Sequence, residues 1–191
     1  MHQTACHFYK PIVMNETQIK LEISPGEYAT YYANYVKYIS AGSLSHVLHA
    51  DQEQLNSLFS VLDEKSAMTS YGPDKWTIKE VLIHCIDTER LFSARALQFA
   101  RGEKNELRGY DHEQYVANSN ANRRGLNSIS SEWRDLRKST FSLFENFDEA
   151  TLRIKGKANN NIVSVRAIAF IITGHVMHHL AIVRERYGID F

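Results

Sequence analysis

The sequence predicts an all-α protein, a four-helix bundle with a short extra helix on its N-terminal side. Four long segments repeat apolar residues every three or four positions, which is the period of an α-helix. Capping residues or turns stand between these segments, and no internal repeat or low-complexity tract is present. Amphipathic helices joined by turns bury their apolar faces most simply against one another, which gives a bundle.

One short and one long helix are predicted before residue 65. The stretch Ser24-Pro25-Gly26-Glu27 combines a capping box with proline at the first helical position, so we expect a helix that runs to about Ile39. Tyrosines recur along it at helical spacing. Gly42 then breaks the chain, and apolar residues predict a long helix from about Ser43 to Glu64.

Two further long helices are predicted in the middle of the chain. Thr77 and Glu80 form a second capping box, and the helix that follows stops at Gly102. Residues 102–122 are polar and predict a long loop, which at that length is usually functional or disordered. The next apolar pattern predicts a helix from Leu126 to near Asp148.

The C-terminal part predicts turns and then the last long helix. Residues 155–161 contain two turn sequences, with room for a short strand or two. Ser164 is the expected N-cap of the final helix, and Gly188 is its expected stop, with Arg184 and Arg186 in the last turn.

Composition limits the domain count and the classes of partner. The chain has 191 residues, enough for one domain, and we expect an N-terminal extension over residues 1–23 and the bundle over residues 24–191. Lysine plus arginine and aspartate plus glutamate number 22 each, so no basic excess indicates nucleic-acid binding. No apolar run approaches the roughly 20 residues that span a bilayer, and Cys6 and Cys85 form no secreted disulfide framework, so we expect a cytoplasmic protein without membrane contact.

Three histidines form the most informative pattern in the chain. His175 and His179 lie four residues apart, so both project from one face of the last helix, and His84 lies in an earlier apolar helix. Buried ring nitrogens need partners, and one cation would satisfy one nitrogen on each ring. Three neutral imidazoles that leave one position open are an arrangement used by catalytic zinc. The sequence therefore predicts a site for one divalent metal ion.

Two familiar histidine motifs are absent. The metalloprotease pattern H-E-x-x-H would need glutamate where the chain has Val176. The di-iron pattern of ferritin-like bundles needs a glutamate three residues before a histidine, and none of the nine histidines has one. A site for a single ion is favoured over both.

Several side chains near the three histidines are candidates for supporting roles. Asp87 is a candidate for orienting one of the rings. Tyr31 and Tyr32, with Thr88 on the stripe of His84, are candidates for lining a pocket, although packing on the bundle explains the tyrosines as well. His178 and Cys85 point away from the ligand faces and are interpreted as packed residues.

The long loop supplies a further set of candidates. Asp111, His112 and Tyr115 would close over the metal if the loop folded back, and Asp111 or His112 would then supply a fourth ligand. A fourth protein ligand would favour a structural site, whereas an open position would favour catalysis.

Seven short phrases follow one another in a fixed order along the chain: Pro25–Tyr28, Lys75–Leu82, His84–Arg90, Gly109–Asp111, Ser164–Ala167, Gly174–Leu180 and Arg184–Tyr187. This ordered set resembles the DinB-like superfamily, a damage-inducible four-helix metalloprotein family that is distinct from the DNA polymerase of the same name. The resemblance covers residues 24–187 and departs at the N-terminal residues and at Asn159-Asn160-Asn161, where the family often carries glycine.

The resemblance implies an up-down-down-up bundle, frequently a homodimer, that holds zinc or nickel with three histidines. The matching positions are His84, His175 and His179. Family members with known activity include bacillithiol S-transferases and a mycothiol-dependent maleylpyruvate isomerase. We therefore expect a metal-dependent thiol S-transferase that acts on a small electrophile. The alternatives are a metal-dependent small-molecule hydrolase and a non-catalytic stress-response metalloprotein.

Overall fold

A computed structural model of the protein describes residues 20–191, and most of these residues are helical. Single turns of 3₁₀ helix lie at Thr30–Tyr32, Ser66–Met68 and Ala121–Arg123. The other elements, in chain order, are β1 (Lys20–Leu21), α1 (Ala33–Val36), β2 (Gly42–Ser43), α2 (Leu44–His49), α3 (Gln52–Val61), α4 (Ile78–Ala100), α5 (His112–Ala117), α6 (Leu126–Glu145), α7 (Glu149–Leu152), β3 (Lys155–Ala158), β4 (Asn161–Ser164) and α8 (Val165–Tyr187).

The second and third long helices of the bundle, α4 and α6, run in the same direction. Glu89 on α4 binds Arg137 on α6, and one turn later Ser93 lies 3.1 Å from Thr140. The second contact lies C-terminal to the first on both helices, so the two helices are parallel. The connection between them is accordingly long, and it contains α5.

The first and last sides of the bundle run in the opposite direction. Asp51, before α3, binds Arg137 near the middle of α6, whereas Glu64, after α3, binds the backbone of Leu126 at the start of α6. Tyr187 at the end of α8 donates a hydrogen bond to the carbonyl of Trp76, just before α4. The order is therefore up-down-down-up, and the predicted four-helix bundle is confirmed.

Helix α8 forms the centre of the core. Every residue from Ala167 to Val176 is buried, and the helix packs against α1, α2 and α4. By length and composition this helix would suffice to cross a membrane. This differs from the sequence-based expectation, in which polar residues such as His175 interrupt the apolar run. A helix that is apolar on all sides is also what the middle of a globular core requires. Its surroundings here are the other helices of the bundle.

The helix predicted from Ser24 to Ile39 is wrong over most of its length. Gly26 has a φ of +88°, which a right-handed helix does not allow, and the regular helix α1 contains four residues. The carboxylate of Glu27 accepts a hydrogen bond from the backbone of Ser24, as a capping box predicts, but it also binds Ser164 and Arg166 at the start of α8. The segment thus forms a turn that is tied to α8 before the helical turns begin.

The single long helix predicted from Ser43 to Glu64 is divided into α2 and α3. The guanidinium of Arg137 donates to the carbonyl oxygen of Leu48, an acceptor that a continuous helix would use internally. The same guanidinium binds the fully buried carboxylate of Asp51. The break between the two helices therefore coincides with a buried ion pair from α6.

The region predicted as one long loop, residues 102–122, contains structure. Asp111 caps α5, and Leu107 forms a β-bridge with Ala158 beside the hairpin of β3 and β4. The short strands expected near residues 155–161 are confirmed by this hairpin. The capping box predicted for α4, the N-cap predicted for α8 and the stops of both helices are also confirmed.

Two residues assigned to the N-terminal extension belong to the fold. Lys20 and Leu21 form β1, which pairs antiparallel with β2, and Leu21 is buried in the core. Residues 1–19, including Cys6, lie outside the described residues.

Candidate metal centre

Helices α4 and α8 bring the three predicted histidines together. The Nε2 atom of His175 lies 3.1 Å from Nε2 of His84 and 3.2 Å from Nε2 of His179. The ligand atoms of the three rings all lie within 4.8 Å of one another. One turn of α8 separates the two C-terminal histidines, so their rings reach the same point, and antiparallel packing against α4 supplies the third ring.

Burial keeps the three rings neutral. His84 and His175 are almost completely buried, and His179 is partly exposed at the surface. Burial, with a smaller contribution from His112, lowers the pKa of His84 to about 4. Burial and then the neighbouring imidazoles lower the pKa values of His175 and His179 well below the ordinary histidine value. The ring nitrogens are therefore available as lone-pair donors at neutral pH.

The spacing of the nitrogen atoms fits a transition-metal ion. Zinc–nitrogen bonds of about 2.0–2.1 Å in a tetrahedral arrangement place two ligand nitrogens about 3.3 Å apart. The two Nε2–Nε2 distances of 3.1 and 3.2 Å are close to that value. Three imidazoles suit zinc, nickel, copper or iron, and they leave room for a ligand that comes from a substrate or solvent.

The triad forms one wall of an open cavity of about 430 Å³. All three residues predicted to line a pocket, Tyr31, Tyr32 and Thr88, lie on its surface. Thr88 and the phenol of Tyr110 are 2.8 Å apart across the cavity, and the hydroxyl groups of Tyr31 and Tyr35 are 2.9 Å apart. The cavity therefore combines an imidazole cluster with several hydroxyl groups and aromatic walls.

Aromatic side chains pack directly against the triad. The ring of Trp76 lies 4.8 Å from that of His84, centroid to centroid, and Trp76 donates a hydrogen bond to Glu113 on α5. Tyr35 contacts the ring of His175 edge-on at 5.2 Å. Burial, assisted by the neighbouring Tyr31, raises the pKa of Tyr35, so this hydroxyl stays protonated at neutral pH.

Of the three loop residues considered as a closure over the metal, one reaches the cavity. His112 lines it, with its ring centroid 5.8 Å from that of His84. Asp111 instead caps α5 by accepting a hydrogen bond from the backbone of Gln114. Tyr115 lines a separate surface depression.

Asp87 and His178 do not join the triad. The carboxylate of Asp87 lies 3.7 Å from the guanidinium of Arg90 and lines the separate depression between α4 and α5. Among residues 20–191, no hydrogen bond connects it to a triad ring. His178 lines the cavity beside Tyr35, at 5.4 Å between ring centroids, and it lies outside the group of converging nitrogens.

Sequence reasoning missed Trp76 and Arg95 as cavity residues. Trp76 precedes the helix cap and carries no periodic signal. Arg95 does carry one, because it follows His84 by eleven residues, which is three turns of the same helical face. An arginine on this otherwise buried helical face was therefore the signal that could have identified Arg95 as a cavity residue.

Comparisons with known proteins agree with this architecture. The sequence pattern of the DinB superfamily matches residues 48–183. YfiT from Bacillus subtilis, described as a probable metal-dependent hydrolase with an unusual four-helix bundle topology, superposes with a TM-score of 0.66. The two chains share 16% sequence identity, and the superposition covers 95% of each. No curated protein sequence matches the chain. The family pattern spans more than two thirds of the sequence, and the chain therefore belongs to the DinB superfamily.

Proposed function

We propose that the protein is a metal-dependent enzyme that joins a low-molecular-weight thiol to a small electrophile. The observation that carries this proposal is the convergence of three neutral imidazole nitrogens on the wall of an open cavity. We further infer that the ion is zinc or nickel, bound by His84, His175 and His179. The cytoplasmic location and the homodimer remain expectations within this proposal.

The protein itself offers no obvious nucleophile in the cavity. Among the described residues that line it, none is aspartate, glutamate or cysteine. The thiol of Cys85 is buried away from the cavity, and burial raises its pKa, so it is a poor nucleophile. The reaction therefore needs a nucleophile from outside the protein, and an external thiol would supply it.

In this reaction a sulfur–carbon bond forms while the bond from that carbon to its leaving group breaks. The thiol proton departs with a halide leaving group or goes to the oxygen of an opened epoxide. A divalent ion held by the triad would supply Lewis acidity that favours the thiolate form. The rings of Trp76 and Phe92 give the cavity apolar walls for the carbon skeleton of a substrate, and the hydroxyl groups of Thr88 and Tyr110 are placed to orient polar substrate atoms.

A metal-dependent hydrolase is the second candidate. His112 and His178 line the same cavity as imidazoles outside the triad, so either is available to take a proton from an attacking water. YfiT, which shares the fold, is described as a probable metal-dependent hydrolase. Substrate turnover without any added thiol would favour this function over thiol transfer.

The test combines metal analysis with an activity measurement. Natively purified protein should contain one zinc or nickel ion per chain, and the double variant His175→Ala, His179→Ala should contain none. His49 lies on α2 and does not line the cavity, so His49→Ala is the matched control and should keep its metal. Metal-loaded protein should accelerate conjugation of a chlorodinitrobenzene or an epoxide with a panel of small thiols. No acceleration with any thiol, or unchanged metal in the double variant, would contradict the proposal.

A further inference from the structure

A buried arginine lies in the wall of the metal-site cavity. Arg95 is 7% exposed, and it is the only lysine or arginine among the described residues that line the cavity. Its guanidinium lies over the ring of Phe92, 4.9 Å from the centroid. An arginine cannot discharge itself at neutral pH, so burial leaves a full positive charge in the cavity wall.

This charge has little compensation from the protein. The guanidinium has five N–H donors; Nη2 donates to the carbonyl oxygen of Arg108 at 3.1 Å, and the phenol of Tyr32 lies within hydrogen-bonding range of the same guanidinium. Both partners are neutral. No carboxylate of residues 20–191 lies within 4.0 Å of it. Buried charges are normally paired, as Arg137 is here with two carboxylates. Arg95 therefore lacks the counter-charge that its burial requires.

The position of Arg95 on α4 places it at the far end of the cavity from the triad. His84, Thr88, Phe92 and Arg95 follow one another along a single face of the helix, and all four line the cavity. Eleven residues of α-helix span about 16 Å. Because helical side chains lean toward the N-terminus, the guanidinium points back along this face, on the order of 10 Å from the triad.

Neutral polar groups accompany the guanidinium. The phenol of Tyr32 lies close enough that burial, which raises its pKa, is partly offset by the charge of Arg95. Asn159 and Asn161, at the turn of the hairpin, line the same cavity. Asn159 has a φ of +48°, and Gly109 leaves space for its side chain, since a Cβ at Gly109 would lie 2.6 Å from Asn159 Oδ1. Hydroxyl and amide groups of this kind complement an anion without neutralising the arginine.

We propose that Arg95 binds a carboxylate of the substrate that reacts at the triad. A guanidinium can bind either a carboxylate or a phosphate with two parallel hydrogen bonds, but its single positive charge is balanced by a carboxylate, whereas a phosphate dianion would leave one negative charge uncompensated. The substrate class is therefore a small molecule that carries a carboxylate on the order of 10 Å from its reacting atom. The substrate identity rests on the proposed function, but the carboxylate site itself does not.

Equilibrium binding tests the site without turnover. Ligand-observed NMR on the metal-loaded protein should show hexanoate binding about ten- to a hundredfold more tightly than hexanamide. Arg95→Met should abolish this preference, and Arg95→Lys should reduce it, because lysine keeps the charge without the planar fork. Arg101→Met removes an exposed arginine near the end of the same helix and should leave the preference unchanged. If the metal alone bound the carboxylate, the preference for hexanoate would persist in Arg95→Met, and the proposal would be contradicted.

Stability separates a binding role from a structural one. Removing an unpaired buried charge should leave the melting temperature of Arg95→Met unchanged or raise it. A large fall in melting temperature, or failure of this variant to fold, would identify a structural arginine and overturn the proposal. Equal binding of hexanoate and hexanamide by the unaltered protein would overturn it too. Tighter binding of hexyl phosphate would refute the assignment to carboxylates.

Two turnover comparisons identify which substrate carries the carboxylate. One compares 6-mercaptohexanoate with 6-mercaptohexanol, and the other compares 6-bromohexanoate with 6-bromohexanamide. If the unaltered enzyme prefers the carboxylate member of one pair and Arg95→Met does not, the substrate tested in that pair carries the carboxylate. If an active enzyme prefers the carboxylate member of neither pair, the proposal is contradicted. If no thiol reacts but hexanoate binding depends on Arg95, the proposed function fails and the carboxylate site stands.

Discussion

The Nε2 atoms of His84 and His175 lie 3.1 Å apart, although 91 positions separate the two residues along the chain. One belongs to α4 and the other to α8, which pack antiparallel in the middle of the bundle. A metal ion bound by both rings would connect helix α4 to helix α8. Metal binding and the stability of the fold are therefore expected to depend on each other.

Removing the metal is expected to lower the melting temperature by roughly 10 °C. Binding at a thousandfold excess over Kd stabilises the native state by about 4 kcal/mol, and in a domain of this size each kcal/mol shifts the transition by about 2–4 °C. The measurement is a thermal melt with and without a strong chelator. The double variant His175→Ala, His179→Ala should show no response to the chelator. A response of equal size in that variant would contradict the site assignment.

Replacing Gly174 with alanine is expected to destabilise the protein by about 1–3 kcal/mol. A Cβ at this position would lie 2.2 Å from the carbonyl oxygen of Tyr35, so α1 and α8 would have to separate. Gly72→Ala is a suitable control, because its nearest atom would be a flexible lysine carbon at 3.7 Å. Denaturant unfolding measures both variants. Equal stability of the two would mean that α1 does not pack this closely on α8.

Replacing Arg137 with methionine is expected to cost about 3–5 kcal/mol of stability. Its guanidinium binds Asp51 and Glu89, which are both fully buried and would be left as unpaired carboxylates. Burial already raises the pKa of Asp51, although the charge of Arg137 opposes this effect. Adding Asp51→Asn and Glu89→Gln to the arginine variant should recover much of the loss in urea unfolding. No recovery would show that the guanidinium acts through other contacts, such as its bond to the carbonyl of Leu48.

Glu27 is expected to make stability depend on pH in the acid range. Burial raises its pKa, but hydrogen bonds from Arg166, Ser164 and the backbone of Ser24 outweigh that effect and hold the pKa below its ordinary value of 4.5. The ionised form is therefore favoured in the folded state. Its contribution is complete above pH 4.5 and is lost as the pH falls through the lowered folded-state pKa.

The matched variant for this effect is Glu27→Gln. It should be less stable than the unaltered protein by about 1–3 kcal/mol at pH 7, because charge-assisted hydrogen bonds are lost. Urea unfolding between pH 7 and pH 3 should show the difference shrinking below pH 4.5. A difference that stays constant across this range would exclude ionisation of Glu27 as its source.

The long helices were predictable because their signals are local. Thr77 and Glu80 form the capping box of α4, and Ser164 and Gly188 bound α8 as expected. The errors arose where a distant side chain decides the backbone. The sequence near Glu27 contains a capping box, but its partner Arg166 lies 139 residues away. The break after Leu48 depends in the same way on Arg137.

The site was predictable only as far as helical spacing reaches. The four-residue spacing of His175 and His179 defined one face, and the pairing with His84 followed from apolar periodicity and family resemblance. That Asp87 pairs with Arg90 in a separate depression could not be read from spacing alone, because it depends on which neighbour each face of α4 meets. The stripe of His84 also contains Arg95, but the lack of a carboxylate partner for Arg95 among residues 20–191 depends on distant residues and could not be read from that stripe.

The triad and the remaining walls of the cavity belong to different kinds of segment. The triad stands on two long helices, whereas Tyr31, Tyr110 and Asn159 come from short connecting segments around it. Insertions and substitutions are tolerated far more readily in connecting segments than in the core of a bundle. Substitutions in these segments can therefore change which molecules fit the cavity while the three histidines stay in place, and divergence among relatives should concentrate at the cavity rim.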